Sequence, residues 1–309
     1  MISFVLLSLP IFGVVALGWA AVRLRVVKPE ALDALGAFSF RFGLPALVLP
    51  LIANQPIRAF FNPTFYGGYL ASGALVFALV LVLSRTLGGQ NLTDASARAT
   101  TATVSNLGFL GLPLMLAFFG NRAAGPLAMA ILAEVMVLLS IGCVLMSAGN
   151  RGDVGIGRLV LRGTLLNPVV AALLLGAALA AADVSLPGPI ARFLTFLGGA
   201  AGPTALFALG GALAAQRLDR RKIVAASGVT AAKLLLYPVV VWCVLDRLLG
   251  VEPIWVQAGV LLASLSSAGN IYVLAQRYHA DPELVSATIA LTTIVNVVSM
   301  PLAAWIMLR

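Results

Sequence analysis

Hydrophobic segments of about 20 residues follow one another along almost the whole chain, separated by short polar stretches. Each segment is long enough to cross a bilayer as an α-helix, and the continuous apolar runs exclude the alternating pattern of a transmembrane β-barrel. The pattern therefore predicts an all-α polytopic membrane protein with ten transmembrane helices. They cover residues 1–21, 31–53, 64–84, 97–119, 123–147, 165–182, 189–215, 223–249, 254–276 and 283–308.

The longest polar stretch divides these helices into two groups of five. We interpret the chain as a first repeat over 1–149, a cytoplasmic linker over 150–163 and a second repeat over 164–309. Five helices per repeat would invert the second copy relative to the first. A shift of 158 residues supports this interpretation, although chance similarity between two apolar sequences is an alternative. The shift aligns Pro10 with Pro168, Pro29 with Pro187, Pro45 with Pro203 and Gly18 with Gly176.

The basic residues indicate an orientation for these helices. With the N-terminus outside, 13 of the 20 Lys and Arg residues fall on the cytoplasmic side and 5 on the other side. This excess is typical of cytoplasmic loops. Positive charge follows the first apolar run, whereas a signal peptide carries its charge in front, so we expect a retained first helix. Ten helices then place both termini outside.

The composition excludes a soluble protein, and the chain has few of the residue types that bind metal ions. The chain is 61% hydrophobic and only 10% charged, with a mean hydropathy of +1.04. Its net charge of +9 fits topology-setting residues beside an anionic membrane better than nucleic-acid binding, because the loops are short. Cys143 and Cys243 lie in apolar segments and His279 is the one histidine. We therefore predict no disulfide framework, no metal site and no cofactor.

The fourth predicted helix contains residues that interrupt a helix at mid-membrane. Its stretch Ser105–Pro113 includes Gly108 and Gly111, which weaken a helix, and Pro113, which lacks a backbone donor. Inside lipid, freed backbone groups must find partners, so such a break is tolerated in buried positions or beside a wet cavity. Secondary transporters build substrate sites in this way, although a simple packing kink is an alternative.

The ninth predicted helix has a similar interruption. Its stretch Ser264–Asn270 holds small residues, a glycine and an asparagine at mid-membrane, and Asn106 aligns with Asn270 at a shift of 164 residues. Two broken helices in matching positions of inverted repeats would cross at the midplane. Asparagine supplies donors and an acceptor, and half-helix N-termini favour carboxylates. The candidate substrate-binding residues at this crossing are Asn106, Gly108, Gly111, Pro113, Ser266, Ser267, Gly269 and Asn270. A pure packing role is the alternative for the serines.

Three ionisable residues, Arg41, Glu134 and Lys233, are predicted deep in the membrane, where charges are costly and face a cavity or a partner. Their excess of positive charge favours an anionic substrate, so Arg41 and Lys233 are further substrate-binding candidates. Glu134 is a candidate proton carrier, because burial favours the neutral form of a carboxyl group. Alternatively it forms a structural ion pair with Arg41 or Lys233. Thr292 and Asn296 are weaker candidates for binding a coupling ion.

Four stretches together resemble the auxin efflux carrier family, and the bacterial branch of malonate transporters is the most similar. They are Asn-x-Gly-Phe-x-Gly-x-Pro at 106–113, Leu-Asn-Pro at 166–168, Asn-x-Tyr-Val-Leu-Ala at 270–275 and Thr-Thr-x-x-Asn-x-x-x-x-Pro at 292–301. The resemblance covers essentially the whole chain and implies a bacterial inner-membrane protein. Two departures are the absence of the long central loop of plant carriers and of a proline at the ninth-helix crossing.

The resemblance also implies a fold similar to bile acid sodium symporters. In that fold two inverted five-helix repeats form a scaffold and a second bundle that moves like an elevator. The first, second, sixth and seventh helices would form the scaffold, through which family members pair as homodimers. Arg41 and Pro45 would face the substrate site from the scaffold side.

We therefore expect a secondary transporter of a small organic anion, first a malonate-like dicarboxylate and second a monocarboxylate, coupled to protons or sodium. No enzyme is expected, because the sequence shows no Gly-x-Ser-x-Gly elbow, no paired intramembrane aspartates and no histidine cluster. The sequence also contains no nucleotide-binding loop of the kind that a primary pump would need. A passive anion channel or facilitator, and a membrane ligand sensor without transport, are the alternatives.

Overall fold

A computed structural model describes residues 2–54, 60–149, 167–215 and 220–309, and these residues are almost entirely helical. Seven of their helices are long and apolar enough to cross a membrane, and two shorter apolar helices, Pro168–Ala181 and Pro253–Ala263, accompany them. The chain is thus a polytopic helical membrane protein. The arrangement of ten helices as inverted repeats stays a prediction, and the predicted linker over 150–163 lies outside the described residues.

The helices divide into two compact units, each assembled from three separate stretches of the chain. The first unit comprises Met1–Asn62, Gly108–Ala128 and Leu165–Gln216, and the second comprises Pro63–Leu107, Met129–Thr164 and Arg217–Arg309. The predicted first, second, sixth and seventh helices all fall in the first unit. The units therefore do not coincide with the two halves of the chain.

The first unit contains α1 (Ile2–Arg23), α2 (Pro29–Phe38), α3 (Leu44–Ala53), α6 (Leu112–Phe119), the greater part of α7 (Ala124–Ile131), α9 (Pro168–Ala181), α10 (Gly188–Gly199) and α11 (Ala201–Ala215). A π-helical segment, Ser39–Gly43, joins α2 to α3, and another, Leu107–Gly111, precedes α6. The helix predicted over 189–215 is divided into α10 and α11, which are separated by Ala200.

Glycines let the helices of the first unit approach closely at positions related by the 158-residue shift. A Cβ on Gly18 of α1 would collide with the carbonyl oxygen of Phe207 in α11. A Cβ on Gly176 of α9 would lie 2.9 Å from the carbonyl oxygen of Leu49 in α3. Gly176 follows Gly18, and Phe207 follows Leu49, by the same 158 residues, so the two contacts are reciprocal. This reciprocity supports the repeat alignment within the first unit.

The second unit contains the remaining helices. They are α4 (Pro63–Thr86), α5 (Leu92–Thr103), the end of α7, α8 (Leu139–Gly149), α12 (Arg220–Ala231), α13 (Tyr237–Trp242), α14 (Pro253–Ala263), α15 (Asn270–Arg277) and α16 (Pro282–Met307). Three π-helical segments, Leu132–Leu138, Ala232–Leu236 and Cys243–Leu248, lie between these helices. The helix predicted over 223–249 is thus a continuous helical run with two π-helical segments.

The predicted fourth helix begins earlier than expected. Helix α5 starts at Leu92 because the side chain of Asn91 accepts a hydrogen bond from the backbone N–H of Asp94 and caps the helix. Arg98, at the start of the helix predicted over 97–119, therefore lies well inside α5 and is half-buried.

The interruption of this helix also lies elsewhere than the glycines and proline suggested. Helix α5 ends at Thr103, and helical structure resumes at Leu107. Gly108 and Gly111 lie in the π segment, and Pro113 lies in the first turn of α6. Proline is tolerated there because first-turn N–H groups have no partner within an α-helix.

The close contact at Gly18 predicts that two glycine-to-alanine substitutions on the same helix change the free energy of unfolding differently. We expect Gly18→Ala to lower the free energy of unfolding by about 1–3 kcal/mol, because the new Cβ has no space. Gly13, also in α1, has nothing within 4 Å of its Cβ position, so Gly13→Ala should be neutral or stabilising, as alanine is the better helix former. Thermal unfolding of both variants in detergent measures the difference. Equal stability of the two variants would contradict the packing of α1 on α11.

Candidate functional site

The interruptions of the fourth and ninth predicted helices pair with each other in the second unit. Ser105 stands opposite Ser267 in an isolated antiparallel bridge. The N–H of Asn106 donates to the carbonyl oxygen of Ser266 at 2.8 Å, and the N–H of Ala268 donates to that of Val104 at 3.1 Å. Each break thus satisfies backbone groups that the other has freed, which an apolar environment requires.

Helix α16 and the end of α5 hold the second interruption in place. The hydroxyl of Ser267 donates to the carbonyl oxygen of Thr101 at 2.7 Å, and its N–H donates to the hydroxyl of Thr292 at 3.2 Å. The side-chain amide of Asn296 donates to the carbonyl oxygen of Ser264 at 2.8 Å. Thr292 and Asn296, which are both fully buried, therefore support the backbone of the break.

The paired segments 104–106 and 266–268 are called the crossing. Glu134 is a fully buried carboxylate beside it. It lies in the π segment Leu132–Leu138 and accepts four hydrogen bonds. The hydroxyl of Tyr69 donates at 2.7 Å and that of Tyr237 at 3.1 Å. Ser105 donates twice, from its N–H at 2.6 Å and from its hydroxyl at 2.9 Å. These four donors compensate for much of the hydration that the carboxylate lost on burial.

Lys233 is a fully buried cation beside Glu134. It lies in the π segment Ala232–Leu236, and its Nζ donates to the hydroxyl of Ser105 at 2.7 Å and to the carbonyl oxygen of Ala263 at 2.9 Å. The same Nζ stands 4.7 Å from the ring centroid of Tyr237, a cation–π distance. Ser105 therefore links the opposite charges of Glu134 and Lys233 and ties both to the crossing.

Two buried polar atoms near the crossing make no hydrogen bond to any described residue. They are the hydroxyl of Ser266 and the side-chain carbonyl oxygen of Asn296. Leaving such atoms unpaired costs about 1–3 kcal/mol each, so they suggest a place for a ligand or for water. Asn106 is also buried, whereas Gly269 and Asn270 are exposed at the start of α15. The N–H groups of Ile271 and Tyr272 already donate to the carbonyl oxygens of the preceding turn, so an anion at this helix start would face the N–H of Asn270 and the positive end of the helix dipole.

The remaining predicted site residues belong to the first unit. Gly108 is half-buried, and a Cβ on it would lie 3.0 Å from a methyl carbon of Leu44. Gly111 is buried and Pro113 half-buried.

Arg41 and Pro45 also belong to the first unit. Arg41 is exposed in the π segment Ser39–Gly43, and Pro45, in the first turn of α3, is half-buried. The sequence suggested Arg41 or Lys233 as the partner of Glu134. In the structure Lys233 lies beside Glu134, linked to it through Ser105. All three predicted intramembrane ionisable residues lie in π-helical segments, which are frequent at functional sites.

Sequence reasoning missed Ser105, Tyr69 and Tyr237 as partners of the buried charges. A signal for the tyrosines was present, because Tyr69 and Tyr237 lie within long apolar segments rather than at a membrane interface, where tyrosine is enriched. A buried tyrosine hydroxyl needs a hydrogen-bond partner. Ser105 directly precedes Asn106 in the break, yet serine packs so often in membrane helices that its role is not visible from sequence.

The described residues contain no group of three His, Cys, Asp or Glu side chains that could hold a metal ion. Cys143 and Cys243 are both half-buried free thiols. The chemistry available at the crossing is therefore hydrogen bonding, helix-end electrostatics and one compensated pair of charges.

Comparison with known proteins agrees with this architecture. A family model described as "Membrane transport protein" matches residues 4–304. A "Putative malonate transporter" of Rhizobium meliloti (strain 1021) is 32% identical over 94% of this chain and 92% of its own length. An "Uncharacterized transporter" of Methanothermobacter thermautotrophicus is 25% identical over 95% of each chain. The "Lysosomal cholesterol signaling protein" of Mus musculus is 25% identical over 96% of this chain, which covers 36% of that longer protein. The chain therefore belongs to the membrane transport protein family, the auxin efflux carrier family that its motifs resemble.

Proposed function

We propose that this protein is a secondary transporter of a small organic anion, with a malonate-like dicarboxylate as the first substrate and a monocarboxylate as the second. Family membership and the similarity to a protein described as a malonate transporter support the substrate class. The observation that carries the proposal is the paired interruption of two helices around Ser105 and Ser267, with unsatisfied polar atoms beside it. Such crossings bind substrates in secondary transporters.

The donors of a carboxylate site come from both interruptions. The Ser266 hydroxyl is buried without a partner among the described residues. Asn106 lies in the opposite interruption, next to the bridge between Ser105 and Ser267. The exposed start of α15 adds the N–H of Asn270 and the positive end of a helix dipole. Because Glu134 and Lys233 compensate each other, these groups, rather than a net charge at the crossing, would attract the anion. Arg41 and Pro45 stay proposed contributors from the first unit.

Glu134 has two proposed roles, and each has support. Its connection to Lys233 through Ser105 supports a structural pair that holds the crossing together. Its depth within an apolar segment supports a proton carrier that loses this connection when it is protonated. For sodium, Asn296 is a stronger candidate ligand than Thr292, because the Asn296 carbonyl oxygen has no hydrogen-bond partner among the described residues while the Thr292 hydroxyl already accepts and donates.

The division into two compact units supports an elevator mechanism, in which one body moves against another. We place the protein in a bacterial inner membrane with both termini outside and as a homodimer, following the sequence prediction. A passive channel or facilitator, and a ligand sensor, are the competing functions.

Uptake of labelled malonate into proteoliposomes tests the proposed function. We expect uptake that saturates with malonate concentration, because a carrier binds substrate before each translocation step. An imposed pH gradient separates the roles of Glu134: a proton carrier predicts faster uptake that Glu134→Gln makes insensitive to the gradient. Uptake that does not saturate would indicate a channel. Malonate binding without uptake would indicate a sensor.

Ser266 should contact the substrate. We expect Ser266→Ala to raise KM for malonate about tenfold, the effect of losing a hydrogen bond to a charged group. Its stability should be unchanged, because the hydroxyl has no partner among the described residues. Ser264→Ala is the matched control, since the Ser264 hydroxyl donates to the carbonyl oxygen of Val260 in the last turn of α14 and its backbone contact to Asn296 is kept. Equal KM values for the two variants would remove Ser266 from the site.

The linkage through Ser105 predicts strong coupling between Glu134 and Lys233. We expect Glu134→Gln and Lys233→Met each to lower the free energy of unfolding by about 3–5 kcal/mol, because each leaves an uncompensated buried charge. The double variant should be more stable than the sum of the single losses predicts. Thermal or denaturant unfolding in detergent provides the cycle. Additive losses would mean that the two charges do not interact.

A further inference from the structure

An apolar groove of about 690 Å³ lies in the second unit, and its described lining includes none of the residues that bridge the crossing. It is bounded by α4, α5, α12, the π segment Ala232–Leu236 and α13. Its walls include Val80, Leu83, Val229, Leu235, Leu236 and Val239, several of which are exposed at the surface of the protein. The volume falls in the range of small-molecule sites. The groove therefore suits an occupant with a long apolar portion.

Among the described residues that line the groove, Arg98 is the single charged one. Its side chain is half-buried, and its Nε is fully buried without a hydrogen bond to any residue in the described ranges. A buried guanidinium donor without an acceptor is costly, and arginine favours phosphate and carboxylate oxygens. The groove thus combines an apolar wall with one unsatisfied cationic donor, so an anionic amphiphile complements it.

The depth of Arg98 fits the level of a lipid headgroup. It lies six residues after the start of α5 at Leu92, which corresponds to about 9 Å of helix rise. Helical side chains point towards the N-terminal end, and arginine extends its charged end to the membrane interface. The start of α5 is polar, with an exposed Asn91 and a capping contact to Asp94. A guanidinium at this position can reach a phosphate while the apolar walls continue deeper.

We propose that this groove binds an anionic phospholipid, with its phosphate on Arg98 and one acyl chain along Leu236 and Val239. A small dicarboxylate has no apolar portion to fill these walls, so the site is separate from the proposed substrate site. The proposal does not depend on the transported substrate. It predicts selectivity for an anionic over a zwitterionic headgroup, because a single guanidinium recognises the phosphate and the net charge.

Native mass spectrometry of the purified full-length protein tests the proposal. The delipidated protein is titrated with phosphatidylglycerol or phosphatidylcholine of the same acyl chains in mixed micelles. We expect one retained phosphatidylglycerol, bound about tenfold more tightly than phosphatidylcholine. Arg98→Gln should remove this preference, as expected for the loss of a charge-assisted hydrogen bond. Arg98→Lys should keep part of it. Arg85→Gln, an exposed cation of α4 outside the groove lining, is the control for general surface charge.

Gly228 tests the acyl-chain half of the site independently. It lines the groove, and a Cβ placed on it meets nothing within 4 Å, so a leucine at this position can start without a clash and occupy groove volume. We expect this variant to bind both lipids about tenfold more weakly while folding normally, since leucine is a better helix former than glycine. Gly67→Leu, on open surface of α4, is the matched control and should bind like the wild type.

Four outcomes would overturn the proposal. The headgroup contact is wrong if Arg98→Gln keeps the preference for phosphatidylglycerol. The chain position is wrong if Gly228→Leu binds both lipids like Gly67→Leu. Displacement of phosphatidylglycerol by saturating malonate would assign Arg98 to the substrate route instead. Absence of any retained phospholipid in the wild type would mean that something else fills the groove.

Discussion

Ser105 joins the parts of the second unit on which the candidate site depends. Its hydroxyl lies between the carboxylate of Glu134 and the ammonium of Lys233, and its N–H donates to the same carboxylate. Its backbone also pairs with Ser267 across the crossing. In an apolar environment none of these groups has water as an alternative partner. The crossing of the backbone and the compensation of the buried charges are therefore one structure, and a change in either disturbs both.

The helices change from α-helical to π-helical geometry at the charged residues of this polar network. Glu134 and Lys233 lie in π-helical segments of the second unit, and Arg41 lies in one of the first unit. A π turn accommodates an additional residue and redirects the side chains that follow. At Glu134 and Lys233 the protein thus departs from regular helix where a buried charge is placed against specific partners.

Close glycine contacts occur in both units, whereas the paired interruptions and the buried charges Glu134 and Lys233 lie in the second. In the first unit, glycines such as Gly18 and Gly176 bring backbones of neighbouring helices into direct contact. In the second unit, hydrogen bonds among buried serine, threonine, tyrosine and charged side chains connect the interrupted helices. Close apolar packing resists deformation, whereas a polar network can exchange partners with a ligand. This difference fits the proposed division of labour between a supporting body and a substrate-binding body.

The sequence by itself determined the membrane-spanning character, the approximate extent of most helices, the two interrupted segments and two of the buried charges, Glu134 and Lys233. These properties follow from local length, hydropathy and composition, which one chain segment expresses alone. The interruption nevertheless lies at Val104–Asn106 rather than at the glycines and Pro113, because those residues fit within the helix that follows. Local weakness of a helix did not decide where it ends.

The tertiary structure alone decided which groups meet. Ser105 stands opposite Ser267, 162 residues further along the chain, so the aligned asparagines Asn106 and Asn270 differ in surroundings: the first is buried and the second exposed. Likewise, Tyr69 and Tyr237 reach Glu134 from distant segments. The physical reason is that a buried polar group needs a partner but does not specify from which part of the chain it comes. Only the packing of helices brought these partners together.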